Sequence, residues 1–428
     1  MRSAHPLHHS ERSRNTPQTA ATAHLHGAAS GFNGAARGFS MVELLVAMTI
    51  SLIGMIIIFQ VFEVSEGIKR TTTTGGDAQQ NGAIALYVID QDIRNAGMGF
   101  NDTAYAGCNI TAYDSTRSPN TFPTAPATML MVPVQITSGG TSATPDSMTA
   151  FYGSQSLVAN STTLSANMTA STDSLRVQSR YGVRTGDLLL MMQPGAGTRC
   201  AMMEVTGLPG NPSDQIDHAS GAYTVAGGAT VTARFNPVAG LGVVYTGAGS
   251  ANATRVFNLG NIYDANNVSM PVHNTYAITA NALTVRSGFS DNAAAAIADN
   301  IVHMRVVYGL DDGVNNGTVT YNAAYTAGDG IVDRFVDGGT TPNWQYVIAV
   351  RIAVVARSAM AEKPSSGIPS DPCDTTSAFP TWSGTVWSTA APNLMTALDV
   401  SADANWRCYR YKVFETTLPL RNWIWKSS

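Results

Sequence analysis

The run from Phe39 to Phe62 carries a single charge, the carboxylate of Glu43. A helix over that stretch rises about 36 Å, enough to cross the hydrocarbon core of a bilayer. Before it lie four arginines, Arg2, Arg12, Arg14 and Arg37, against one acid, Glu11. That bias predicts a leader held on the cytoplasmic side and an exported C-terminal part.

The order of elements differs from that of a secretory signal, in which a shorter apolar run precedes a small-residue cleavage site. Here the candidate cut, between Gly38 and Phe39, precedes the apolar run, so the helix stays in the mature chain. Glu43 then needs a reason, because a carboxylate inside a membrane span is costly. An amine freed at Phe39 of a neighbouring subunit would pair with it and set the axial stagger between packed helices. The alternative is a glutamate near the interface that reaches out to the headgroups.

Residues 37 to 48, Arg-Gly-Phe-Ser-Met-Val-Glu-Leu-Leu-Val-Ala-Met, closely resemble the class III signal of type IV pilins and type II secretion pseudopilins. The resemblance implies that a prepilin peptidase cuts after Gly38 and methylates the new N-terminal Phe39. It also implies that Glu43 directs assembly. The leader, residues 1–38, is rich in His and Ala and longer than most in that family.

Beyond Phe62 the chain turns polar. The Thr71-Thr72-Thr73-Thr74-Gly75-Gly76 segment reads as a weak point or a break in one long helix, since Gly and β-branched Thr both disfavour helix. A second helical stretch is expected from about Asp77, its N-cap, to Ala96. Leu86, Ile89, Ile93 and Ala96 form the buried stripe, flanked by Ile84 and Val88. Gly97 and Gly99 are natural stops. Residues 80–97 resemble the equivalent stretch of PilW-type minor pilins.

From residue 100 the pattern changes to short apolar segments bounded by Gly, Asn, Asp, Ser or Pro clusters. Expected strands are 129–136, 147–152, 187–192, 201–206, 230–235, 243–245, 254–258, 276–279, 283–286, 301–308, 346–356 and 409–417. The 346–356 segment is almost wholly apolar, which predicts a central strand. Residues 137–146 and 155–174 read as long loops. Three late segments also resemble the PilW type: Val306–Asp311, Trp344–Ile352 and Phe414–Asn422. The expected fold class is α+β. A long N-terminal helix, transmembrane in its first half and amphipathic in its second, packs on a large antiparallel β-rich domain. The expected boundaries are a leader at 1–38, a pilin helix at 39–97 with 39–62 in the membrane, and a β-rich domain at 98–428.

Charged residues make up 13% of the chain and the formal net charge is −4. The share is about half the usual one and suits an exported β-rich protein. Without its basic leader the chain is more acidic still, so no nucleic-acid partner is expected. Cys108, Cys200, Cys373 and Cys408 include no CxxC pair, which argues against zinc or thiol redox chemistry. An even count in an exported chain favours two disulfides. Of three pairings, sequence neighbourhood favours Cys373–Cys408 with Cys108–Cys200; four buried free thiols are the alternative.

Five of the eight histidines lie in the leader. His218, His273 and His303 show no metal-ligand spacing, and no nucleophile elbow or P-loop occurs. No catalytic residue and no cofactor are therefore expected. Asp311, Asp329 and Asp333 sit in oxygen-rich, Gly-containing loops and are the calcium candidates, although neither loop has EF-hand spacing and an Asn/Asp/Gly turn explains both.

The resemblance implies a structural minor pilin that takes part in initiating pilus assembly and sits at the tip, supporting motility or adhesion. Its implied partners are the prepilin peptidase, major pilin, other minor pilins, the inner-membrane assembly platform and a tip adhesin. It would be a single-pass inner-membrane protein with a periplasmic domain before assembly, and part of the pilus at the cell surface afterwards. A type II secretion pseudopilin and a membrane-anchored periplasmic binding protein or enzyme are the other readings.

Overall fold

The computed structural model describes residues 38–100, 102–122, 128–153, 161–194, 199–249, 252–264, 270–290, 293–314, 326–339, 341–368, 370–383 and 397–424. The chain divides into two units, one ending at Glu66 and the other running from Gly67 to Ser428.

Helix α1 spans Met41–Asn95. In the first unit its residues are exposed, Gly54 being half-buried, and it is long and apolar enough there to cross a membrane by length and composition. Of the two readings of 71–76, the continuous helix holds and the break does not, and Asp77 lies inside the helix rather than capping it. Thr72 Oγ1 donates to the carbonyl of Ile68 at 2.9 Å, so this hydroxyl is satisfied along the helix instead of competing with it.

In the second unit the helix buries Thr74, Ala78, Gly82, Ala85, Ile89, Ile93 and Ala96, a stripe at helical spacing. The stripe lies to one side of the expected one. Ile89, Ile93 and Ala96 are in it, Leu86 and Val88 are half-buried, and Ile84 is exposed.

Three sheets follow. In the first, β1 (Ile110–Thr111), β4 (Thr162–Thr163), β6 (Asp187–Gln193), β7 (Arg199–Glu204) and β11 (Arg255–Asn261) run in the order β1-β7-β6-β11-β4. The second holds β2 (Val134–Thr137), β3 (Ser147–Tyr152), β12 (Val272–Thr279), β13 (Ala282–Ser287) and β14 (Ala295–Asp299), ordered β14-β13-β12-β3-β2. The third holds β15 (Ile301–Leu310), β16 (Arg334–Asp337), β17 (Val347–Arg357) and β18 (Tyr411–Pro419), ordered β16-β15-β17-β18. Two ribbons complete the set, β5 (Leu175–Arg176) with β8 (Gln215–Ile216), and β9 (Ala222–Thr224) with β10 (Thr230–Thr232). Among the described residues all strand pairings are antiparallel except β1 with β7.

Two strands show why their sequences lack polar alternation. Along β17, Val350, Ile352, Val354 and Ala356 enter the main core, while Ala353 and Val355 enter a second one with Trp382 and Leu398. Along β6, Leu188, Leu190 and Met192 enter the main core, and Leu189 and Met191 a third. Each strand is covered on both faces, so an unbroken apolar run is what its environment requires.

Several expected strands are shorter or missing. Residues 243–245 are irregular, and residues 129–133 precede β2 without joining a ladder beyond one bridge at Leu130. Pro133 has no N–H to give a ladder.

Candidate functional site: the processing segment and the helix dock

Gly38 and Phe39 precede α1 as exposed chain. A Cβ placed at Gly38 would meet no atom within 4 Å, and Phe39 is 81% exposed. Among the described residues nothing covers the bond between them. Ser40 begins the helix: its Oγ accepts from the Val42 N–H at 3.3 Å, and its carbonyl accepts from the Leu44 N–H at 3.0 Å. Ser40 was not singled out from the sequence, although Ser-x-x-Glu before an apolar run is a helix-start signature. Glu43 falls in the first turn, where the positive end of the helix dipole favours a carboxylate. Among the described residues it has no side-chain partner. Helix geometry thus offsets part of the cost of this charge and leaves its oxygens available to another chain.

The second unit holds the C-terminal part of α1 by specific polar contacts. Asp92 accepts three of them. Tyr152 Oη donates to Oδ1 at 2.8 Å, and Tyr276 Oη and Asn274 Nδ2 donate to Oδ2 at 2.6 and 2.8 Å. The donors come from β3 and β12. Burial and the nearby Asp92 charge push both phenols above their usual range. Nearly three turns earlier, Gly82 lies against the ring of Phe414 on β18. A Cβ there would sit 2.2 Å from a ring carbon, so only glycine permits this approach.

The end of the helix is closed from the far end of the chain. Asn422 Nδ2 lies 3.1 Å from the carbonyls of Arg94 and Asn95 and 3.4 Å from that of Ala96, covering acceptors that a helix terminus leaves unsatisfied. Gly97 and Gly99 take positive φ, as expected of the stop, and the Gly97 N–H donates to the Phe151 carbonyl at 2.9 Å.

Both expected disulfides are present, Cys108–Cys200 and Cys373–Cys408. The first ties the segment entering β1 to β7. The second closes the connection between β17 and β18.

Asp311, Asp329 and Asp333 meet in the β15–β16 connection. Asp311 accepts from the N–H groups of Gly328, Asp329 and Gly330 at 2.6, 3.3 and 2.7 Å. Asp333 Oδ2 accepts from the Gly313 N–H at 2.7 Å, while its Oδ1 is buried without a hydrogen-bond partner among the described residues. Burial, joined by the charges of Asp311, Asp329 and Asp312 and opposed by the Gly313 bond, holds its carboxyl above the usual range. The aspartates thus fasten a turn through backbone amides. Among the described residues no group of three or more His, Cys, Asp or Glu is arranged to hold a metal ion.

Of the remaining histidines, His273 lies in a buried cluster with Phe122, Phe151 and Phe289. His218 and His303 each place Nε2 on a backbone carbonyl, that of Asp173 or Ser142.

Comparison with known families finds two matches. Residues 34–59 match the prokaryotic N-terminal methylation motif, and residues 271–422 match type IV pilus-assembly protein W. No curated protein and no solved structure matches. The first region contains Gly38, Phe39, Ser40 and Glu43. The second contains Asn274, Tyr276, Phe414 and Asn422, four residues that grip the C-terminal part of α1. Over these two stretches the chain is similar to prepilin-type signals and to the type IV pilus-assembly family. More narrowly, the matches support a PilW-type pilin with a prepilin signal. That family serves pilus assembly and is not an enzyme class.

Proposed function

We propose that this chain is a structural minor pilin that takes part in initiating type IV pilus assembly and sits at the tip of the fibre. A prepilin peptidase cuts between Gly38 and Phe39 and methylates the Phe39 amine. The mature chain then waits in the inner membrane with its β-rich domain in the periplasm. With the assembly platform, other minor pilins and the major pilin, its apolar helix passes from lipid into the core of a helical fibre, and a tip adhesin can be carried with it. Glu43 pairs with the N-terminal amine of a neighbour and sets the stagger.

The observation that carries this reading is the exposure of α1 from Met41 to Phe62, beside a Gly38–Phe39 bond that is uncovered and a Glu43 that is without a side-chain partner among the described residues. Such a helix needs an apolar surrounding, and its one carboxylate needs a cation. The match to a pilus-assembly family favours this reading over a secretion pseudopilin. A membrane-anchored binding protein or enzyme would use the helix alone.

Glu43→Ala separates these roles. A pilus subunit remains in the membrane but fails to enter sheared fibres and lowers the number of fibres per cell. Wild-type piliation with the variant would contradict the proposal.

A further inference from the structure

A cleft of about 360 Å³ opens beside β4, β6, β8 and β11, close to the lower end of the ~300–1,000 Å³ typical of small-ligand sites. Its floor is apolar, made by Leu189, Ile216 and Val256, while its rim carries hydroxyl and amide groups. Among the described residues no acidic or basic side chain lines it; Arg255, which reaches the Ser161 hydroxyl at 3.4 Å, is paired with Asp102. A recognition site for phosphate, carboxylate or an ammonium group would need one.

Two rim side chains are held next to each other with their polar groups unspent. The Gln178 N–H donates to the Thr163 carbonyl at 2.9 Å, which fixes the two backbones side by side. The Thr163 hydroxyl and the Gln178 amide make no hydrogen bond among the described residues. Between them they offer donors and acceptors without charge. At the mouth stands Tyr181, 84% exposed. Its ring presents an apolar face with a polar tip.

We propose that this cleft binds a neutral carbohydrate. Uncharged donors and acceptors match sugar hydroxyls, the apolar floor matches the C–H face of a pyranose, and Tyr181 stacks on the ring that enters. An extended peptide fits less well. Strand addition needs a free sheet edge, and the outer side of β4 is already bonded: Ser165 N–H to the Arg176 carbonyl and Gln178 N–H to that of Thr163, with a bridge between Leu164 and Val177.

The test uses the full processed chain in a detergent without a sugar headgroup. Saturation-transfer NMR is recorded with lactose, cellobiose, maltose and diacetylchitobiose, then with sialyllactose and a neutral Gly/Ser peptide. At least one neutral disaccharide should receive saturation. Its binding should weaken about tenfold in Tyr181→Ala and several-fold in Thr163→Val or Gln178→Ala, with Tyr181→Phe close to wild type. Because Tyr181 is exposed, its replacement leaves the fold intact. The proposal is overturned if no neutral disaccharide binds, if Tyr181→Ala binds as well as wild type, or if sialyllactose or the peptide binds more tightly than every neutral disaccharide.

Discussion

The hydroxyl of Tyr276 lies 2.6 Å from Asp92 Oδ2, joining the middle of β12 to the last turns of α1. Tyr152 and Asn274 converge on the same carboxylate. Asp92→Ala would leave three oriented donors without their acceptor. We expect a loss of about 2–4 kcal/mol in unfolding free energy, against about 1 kcal/mol for Tyr276→Phe, measured by urea denaturation. Equal effects of the two substitutions would contradict a shared acceptor.

The glycines of α1 should respond in opposite directions. Gly82→Ala drives a methyl into the Phe414 ring and should cost about 1–3 kcal/mol despite the better helix propensity of alanine. Gly75 has open space around its Cβ position. Gly75→Ala should stabilise the protein by up to about 1 kcal/mol. Thermal unfolding of the two variants beside wild type checks both signs.

This pair of glycines also shows what the sequence could and could not convey. The Thr71–Gly76 segment has the composition of a break, yet it is helical, because local propensity is a weak prior against the turns on either side. Which helix face is buried depended on Phe414, over three hundred residues away, so Gly82 and Ala85 could not be recognised as the contact. β17 and β6 were legible because long apolar runs suit strands covered on both sides. The Ala-rich edge strand β14 and the two-residue strands are set by their neighbours rather than by their own side chains. At the N-terminus the signal is local in sequence, and residues 34–59 match the N-terminal methylation motif. Asp92 was visible only as a polar residue on a helix, since its partners are long-range.

Acidification should act through two buried histidines. Burial lowers His273 to about 4, and burial assisted by the Arg305 charge lowers His303 to about 4, from an ordinary 6.5. Below 6.5 the unfolded chain takes up protons that the folded state refuses. Their stabilising contribution is therefore complete above pH 6.5 and is lost as pH falls towards 4, by about 3 kcal/mol for each. A variant with His273→Leu and His303→Gln should show a flatter stability profile than wild type between pH 6.5 and 4. Identical slopes would contradict this assignment.

Both disulfides should be present in the exported protein in the pairing Cys108–Cys200 and Cys373–Cys408. They close loops with sequence separations of 92 and 35 residues. Replacing either pair with serine should cost about 2–5 kcal/mol, with the longer loop at the upper end. Peptide mapping under non-reducing conditions checks the pairing, and a peptide joining Cys108 to Cys373 or Cys408 would contradict it.

The central claim is that Gly38 ends a leader and Phe39 begins the working chain. Intact-mass and N-terminal fragmentation analysis of protein extracted from the membrane tests it most directly. The expected product starts at an N-methylated Phe39 and retains the apolar helix. A product that keeps the leader, or one cut after Phe62, would contradict the account.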